Sequence, residues 1–292
     1  MEQQLQQLEA AITRLAADQP FALSWEIRAI GTGEIIGQDS TRAAASFSTR
    51  KVSVLLACLA LVETGELSLE DRSVITEEMK DGVQAGIMRS LSAGISLSLR
   101  DCLLQMMSTS DNICTQLVFA AIGSVRPDPL QWVNDYCAWM GLHATLHREI
   151  FPRTGDLTWS HSLDTLTTTT ARDQSRLLEQ LGRGCVDDLA AAELMLSQQL
   201  CEFARDAMLG LFTPALGVAC TQIRFAEKNG RGLRSLSQVG LALSASGAPL
   251  AAVAAYAENI PTVLPSGVPG RVAAFDLFAE LGLAVQEWAL GR

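Results

Sequence analysis

Apolar residues recur at Leu5, Leu8, Ile12 and Leu15, the spacing of one helix face, so the chain is expected to open with an amphipathic helix. Positions 21–30 and 34–37 read as the arms of a β-hairpin joined by Gly31-Thr32-Gly33, a loop whose glycines permit a tight reversal. Ser48 is expected to start an apolar helix that ends near Gly65, a residue suited to the left-handed end of a helix. Helical spacing continues at 99–107, 112–121 and 129–140, the last opened by Pro129 and closed by Gly141. Positions 142–169 lose this periodicity, and an ordered polar segment of that length is usually a functional loop. It ends in Thr170-Ala171-Arg172-Asp173, which resembles a capping box for a helix reaching Leu181. After further helix to about Leu211, positions 222–228, 238–245 and 250–257 read as strands. Gly247-Ala248 joins the last two, and a helix over 271–290 closes the chain.

Strands near both termini with helices between them suggest one antiparallel sheet built from both ends of the chain and flanked by the terminal helices. The expected fold class is α/β, of the α+β sandwich kind, with an inserted all-helical subdomain. A single domain over 1–292 is expected, with a sheet subdomain at about 1–47 and 212–292 and a helical subdomain at about 48–211. No repeat, low-complexity tract or linker divides it.

Composition narrows the partners. A chain of 292 residues with 48% hydrophobic and 18% charged residues can bury a sizeable core without a metal or staple. A net charge of -10 argues against nucleic acid or an anionic membrane surface and favours a small-molecule substrate. The longest apolar run, 52–62, is too short to span a bilayer. Met1-Glu2-Gln3-Gln4-Leu5 lacks the basic start and apolar stretch of a secretory signal, and seven cysteines without a C-x-x-C pair suit free thiols. A cytoplasmic location is expected, with no cofactor and no metal; the oligomeric state is left open.

Lysine is scarce: Lys51, Lys80 and Lys228 are the only three among 22 basic residues, the rest being arginine. Lysine can lose its proton when desolvated and then act as a base, which arginine cannot. Lys51 ends Ser48-Thr49-Arg50-Lys51, where a three-residue spacing at a helix start puts hydroxyl and amine on one face. A neutral amine there can take the serine proton, and the helix N-terminus favours negative charge developing beside it. A capping serine beside a solvated lysine would give the same pattern. Ser110-Asp111-Asn112 falls in the turn between two expected helices, where it can hold a second hydroxyl and an amide or simply cap the following helix. Lys228-Asn229-Gly230 falls at a strand end, where glycine lets a ligand approach the backbone.

In this order the three motifs resemble the S-x-x-K, S-D-N and K-T-G set of the penicillin-recognising serine enzymes. The order of helix, hairpin, helical insert, three strands and final helix resembles the class A β-lactamases, as do Phe47 before Ser48 and the strand Phe225-Ala226-Glu227-Lys228. The resemblance implies a β-lactamase/transpeptidase-like fold and a serine hydrolase that opens a β-lactam or related amide or ester through an acyl-enzyme. It assigns Ser48 as nucleophile, Lys51 as its base or base relay, Ser110 as proton donor to the leaving nitrogen and Lys228 as a source of positive potential. Asn112 would hold the substrate amide, and the backbone N–H groups of Ser48 and Arg231 would form the oxyanion hole, each such donor contributing about 3 kcal/mol.

Two departures bear on the chemistry. The family's Glu-x-x-Leu-Asn loop motif, whose glutamate activates the deacylating water, is absent, since no asparagine occurs between Asn134 and Asn229. Glu149, Asp156 and Asp164 are the remaining acids there; Glu149 is the candidate base, and Asp164 is expected to pair with an arginine such as Arg148. His143, His147 and His161 offer another base, a metal site or plain surface polarity. Asn229 stands where the family usually has threonine, with Gly230, Arg231 and Arg234 as further substrate-binding candidates. Slow turnover of ordinary β-lactams or a different native substrate is expected, the alternatives being a non-hydrolysing acceptor or an acyltransferase.

Overall fold

The computed structural model describes residues 2–291. The chain begins with α1 (Glu2–Ala17), β1 (Ala22–Ala29), β2 (Ile35–Gln38) and the short β3 (Ala44–Ala45), then makes a single 3-10 turn over Phe47–Arg50. There follow α2 (Lys51–Glu63), β4 (Arg72–Val74), β5 (Ser96–Ser98), α3 (Leu99–Ser108), α4 (Asn112–Val125) and α5 (Pro129–Trp139). The polar segment after α5 ends at β6 (Thr168–Thr169) and leads into α6 (Ala171–Gly184), α7 (Asp188–Glu193) and α8 (Gln198–Leu209). Three long strands, β7 (Arg224–Arg231), β8 (Leu236–Leu243) and β9 (Pro249–Glu258), precede α9 (Gly270–Leu290).

Alternation along the strands sets the layers. The five-stranded antiparallel sheet has the order β2-β1-β9-β8-β7, so strands from both ends of the chain build it. Trp25 and Ile27 of β1 and Val253 and Ala255 of β9 bury one face against Leu8 and Ile12 of α1 and Leu277, Phe278 and Leu281 of α9. Val239, Leu241, Ala252 and Ala254 bury the other face against the inserted helices. α2 is apolar all round and buried from Val52 to Leu61, as a helix at the centre of such a layer must be.

The structure corrects three expectations. The insert is not all helical: β4 pairs with β5, and β6 with β3. Strands of two or three residues carry no readable period. β7 continues past Lys228 to Arg231, because Gly230 and Arg231 still pair with Ser237 and Leu236. Ser48 lies in the 3-10 turn rather than in the helix, and no side chain caps that turn.

Candidate active site

Local strain and packing set the turn that carries Ser48. Phe47, with φ of 43°, and Ser110, with φ of 57°, occupy the left-handed region that non-glycine residues rarely adopt, and they flank the same cavity. Thr49 Oγ1 donates to Ser46 O at 2.7 Å and lies 2.8 Å from the Tyr256 hydroxyl of β9, tying the turn to the sheet. A Cβ on Gly230 would come within 2.7 Å of Ser46 O, so glycine lets edge strand β7 lie against the turn.

Lys51 is fully enclosed. Its Nζ donates to Ser110 O at 2.7 Å and to Asn112 Oδ1 at 2.7 Å, and lies 3.2 Å from Ser110 Oγ. Burial holds its pKa well below the usual lysine value, the positive charges of Lys228 and Arg50 add to this, and Asp111 opposes it. Asp111 fixes the turn that carries Ser110 and Asn112. Its Oδ1 accepts from the N–H groups of Ile113 and Cys114 at 2.9 and 3.0 Å, and its Oδ2 accepts from Met88 N at 2.8 Å.

In front of this group is a cavity of about 470 Å³ whose lining includes Ser48, Ser110, Asn112, Asn229 and Arg231. Ile87, Phe212 and Pro152 give it apolar walls. Among the described residues, no Asp, Glu or His lines it.

Lys228, also buried, is pushed down to about 7 by desolvation and by the charge of Arg231. Its Nζ donates to Asn229 Oδ1 at 2.9 Å, and Asn229 Nδ2 donates to Thr213 Oγ1 at 2.8 Å, so the asparagine amide is committed inside the protein. Glu227 places Thr213 there: its carboxylate accepts from the N–H groups of Ala215, Leu216 and Gly217, which folds the preceding loop onto β7. Arg231 is exposed at the end of β7, with its guanidinium 5.4 Å from the centre of the Phe275 ring.

Other candidates lie elsewhere. Glu149 does not line the cavity; Oε1 accepts from Arg50 Nη1 at 2.8 Å and Oε2 from Thr167 Oγ1 at 2.9 Å. Burial raises its pKa, and Arg50 and Thr167 pull the other way. Arg234 is likewise outside the cavity lining; it donates to the carbonyls of Trp159 and His161 and so holds the 142–169 loop. Asp164 accepts from Ser162 Oγ at 2.6 Å, while Arg148 donates to Leu166 O and Thr168 Oγ1, so the expected Asp164–Arg148 pair does not form. The histidines are dispersed: His147 is buried against Ser53 Oγ at 2.9 Å, His161 lies edge-on to Phe47, and His143 borders a separate cavity. Among the described residues, no three His, Cys, Asp or Glu side chains converge on a metal position.

Sequence reasoning missed Arg50, Thr213 and the rim residues Ile87 and Phe212. Arg50 had a visible signal, an arginine one position before Lys51 at the start of an apolar helix; the others are brought in by distant loops.

A sheet built from both termini, a helical insert and a serine-lysine turn between them are the architecture of the serine hydrolase fold typified by the β-lactamases. A model of the beta-lactamase enzyme family matches residues 7–285, and the chain belongs to that family. Among solved structures it is similar to a beta-lactamase from Sphaerobacter thermophilus, with a TM-score of 0.79 and 22% identity over 97% of this chain and 96% of that one. A beta-lactamase from Chitinophaga pinensis gives 0.79 and 17% over 96% and 98%. An acyl-enzyme complex of a PBP-A variant with penicillin G gives 0.76 and 18% over 97% of each chain. At these identities the likeness is one of fold. No curated protein matches the chain by sequence. No helix among the described residues is long and apolar enough to cross a membrane.

Proposed function

We propose that the protein is a serine hydrolase of the class A β-lactamase type, which opens a lactam, amide or ester of a small molecule through an acyl-enzyme on Ser48. The observation that carries this reading is the enclosed Lys51 amine, bonded to Ser110 and Asn112 beside the cavity that Ser48 lines. A neutral amine has two N–H bonds and a lone pair. The two short contacts, to Ser110 O and Asn112 Oδ1, use the N–H bonds and leave the lone pair for a hydroxyl. Lys51 takes the proton from Ser48 Oγ as it attacks the carbonyl carbon. That proton then passes by way of Ser110 Oγ to the leaving nitrogen as the C–N bond breaks. The N–H groups of Ser48 and Arg231 stabilise the oxyanion, and Arg231 and the protonated fraction of Lys228 favour a substrate that bears a carboxylate.

Deacylation is the weaker half. Both Glu149 oxygens are engaged, by Arg50 and by Thr167, so Lys51 is the base assigned to activate water, and the acyl-enzyme is long-lived on ordinary β-lactams. The same observation favours a second reading, in which an amine or alcohol substrate, rather than water, accepts the acyl group. All seven cysteines are free thiols, which supports a reducing, cytoplasmic setting.

Intact-protein mass spectrometry with a penicillin and with a serine-directed phosphonate tests the reading. An adduct is expected on the native protein and none on Ser48→Ala. No adduct with either reagent, or an adduct that survives Ser48→Ala, would overturn it. Release of the penicillin adduct by an added amine but not by water selects the transferase.

A further inference from the structure

Arg50 immediately precedes Lys51 and is fully buried, a rare position for a guanidinium. Its Nη1 donates to Glu149 Oε1 and to Thr167 Oγ1, both at 2.8 Å, and Thr167 Oγ1 donates to Glu149 Oε2 at 2.9 Å. The three groups therefore close a ring. Arg50 belongs to the Ser48 turn, whereas Glu149 and Thr167 belong to the two arms of the 142–169 loop, so one guanidinium ties both arms to the turn.

The charge inside this ring is thinly compensated. Among the described residues, Arg50 Nε and Nη2 meet no hydrogen-bond partner, and burial lowers its pKa to about 10 despite Glu149. A buried cation with one carboxylate partner is weakly screened and acts on its neighbours. Those neighbours are Lys51 and His147, and the Arg50 charge disfavours protonation of both. Lys51 is faced by Lys228 of β7, which acts in the same direction, and by Asp111 at the start of α4, which opposes it; the adjacent Cys114 thiol is pushed up and stays neutral. Arg148 adds a positive charge beside Glu149.

We propose that Arg50 and Glu149 form a positioning pair, in which the guanidinium clamps the 142–169 loop onto the Ser48 turn and gives the Lys51 amine a positive neighbour that disfavours its protonation. This rests on the reading of Lys51 as the base for Ser48. Arg50 touches no substrate; it acts through Lys51 and the turn. Glu149 tempers the field, so removing either partner should move Lys51 in opposite directions.

Lysine scarcity makes the test direct. A protein with isotope-labelled lysine gives three side-chain signals by nuclear magnetic resonance, assigned by their loss in Lys51→Arg and Lys80→Arg. Arg50→Gln should raise the pH at which Lys51 titrates by about one unit. Glu149→Gln, which leaves the guanidinium uncompensated, should lower it by less, and the double variant should return it towards the native value. The acid limb of the phosphonate acylation rate should move with the titration each time. Should Arg50→Gln not fold, Thr167→Val removes the hydroxyl that keeps Glu149 charged and should move Lys51 in the same direction as Glu149→Gln. The proposal is overturned if the variants slow acylation at every pH while the Lys51 titration and the acid limb stay fixed, or if both single variants shift it the same way. Opposite shifts of the titration in a protein that neither reagent acylates would uphold the pair and refute the hydrolase reading.

Discussion

Behind the cavity, Lys51 bonds to Ser110 and Asn112, and those two residues line the cavity together with Ser48. In the bordering loop, Glu149 and Thr167 close a ring with Arg50, and none of the three lines the cavity. The two regions use similar side chains for different ends. Polar groups that face a cavity can meet a ligand, whereas groups that bond one another away from it hold segments together. The group around Lys51 is the part that the proposed acyl-enzyme chemistry uses. In the loop both Glu149 oxygens are bonded, one to Arg50 and one to Thr167.

The largest test of this contrast is Lys51→Arg. Arginine keeps the charge at any working pH, so the Ser48 adduct should form about a thousandfold more slowly in a protein whose circular dichroism is unchanged. A rate within tenfold of native would show that the group around Lys51 does not work through a neutral amine. Next is Asp111→Ala, which strips three backbone N–H groups of their acceptor and should lower stability by about 3 kcal/mol in a urea titration. A change below about 0.5 kcal/mol would mean that this group is not held rigid from behind.

A smaller effect is expected at Lys228. With its pKa near 7, the amine is charged below that pH and neutral above it. The KM of a carboxylate-bearing substrate should therefore rise about tenfold between about pH 6 and about pH 8, and Lys228→Arg should flatten the profile. An equally steep profile in Lys228→Arg would assign the titration to another group. The smallest effect is expected in the loop. Above the pH at which Lys51 titrates, Glu149→Gln should change the lifetime of the penicillin adduct by less than about threefold, whereas a lifetime longer by about a hundredfold would restore Glu149 as the deacylating base.

The helices and long strands were legible because each repeats a period over many residues, as at Leu5, Leu8 and Ile12, and the three motifs were legible because their spacing is local. Their convergence was not, since Lys51 meets Asn112 across a separation of 61 positions. The bordering loop was misread for a related reason. Glu149, Asp164 and Arg234 are unremarkable in sequence, and their partners, Arg50, Ser162 and the Trp159 and His161 carbonyls, are chosen by how an aperiodic segment folds back on the turn.

By itself the sequence determined the order of the long elements, the family resemblance and the three motifs that hold Ser48, Lys51, Ser110 and Lys228, all of which rest on short-range spacing and side-chain chemistry. Tertiary structure alone decided which charges are buried and what they face. It drew Lys51 and Lys228 out of water, turned the Asn229 amide towards Thr213 and matched Glu149 with Arg50. Desolvation and pairing depend on groups far apart in the chain, and no local pattern records them.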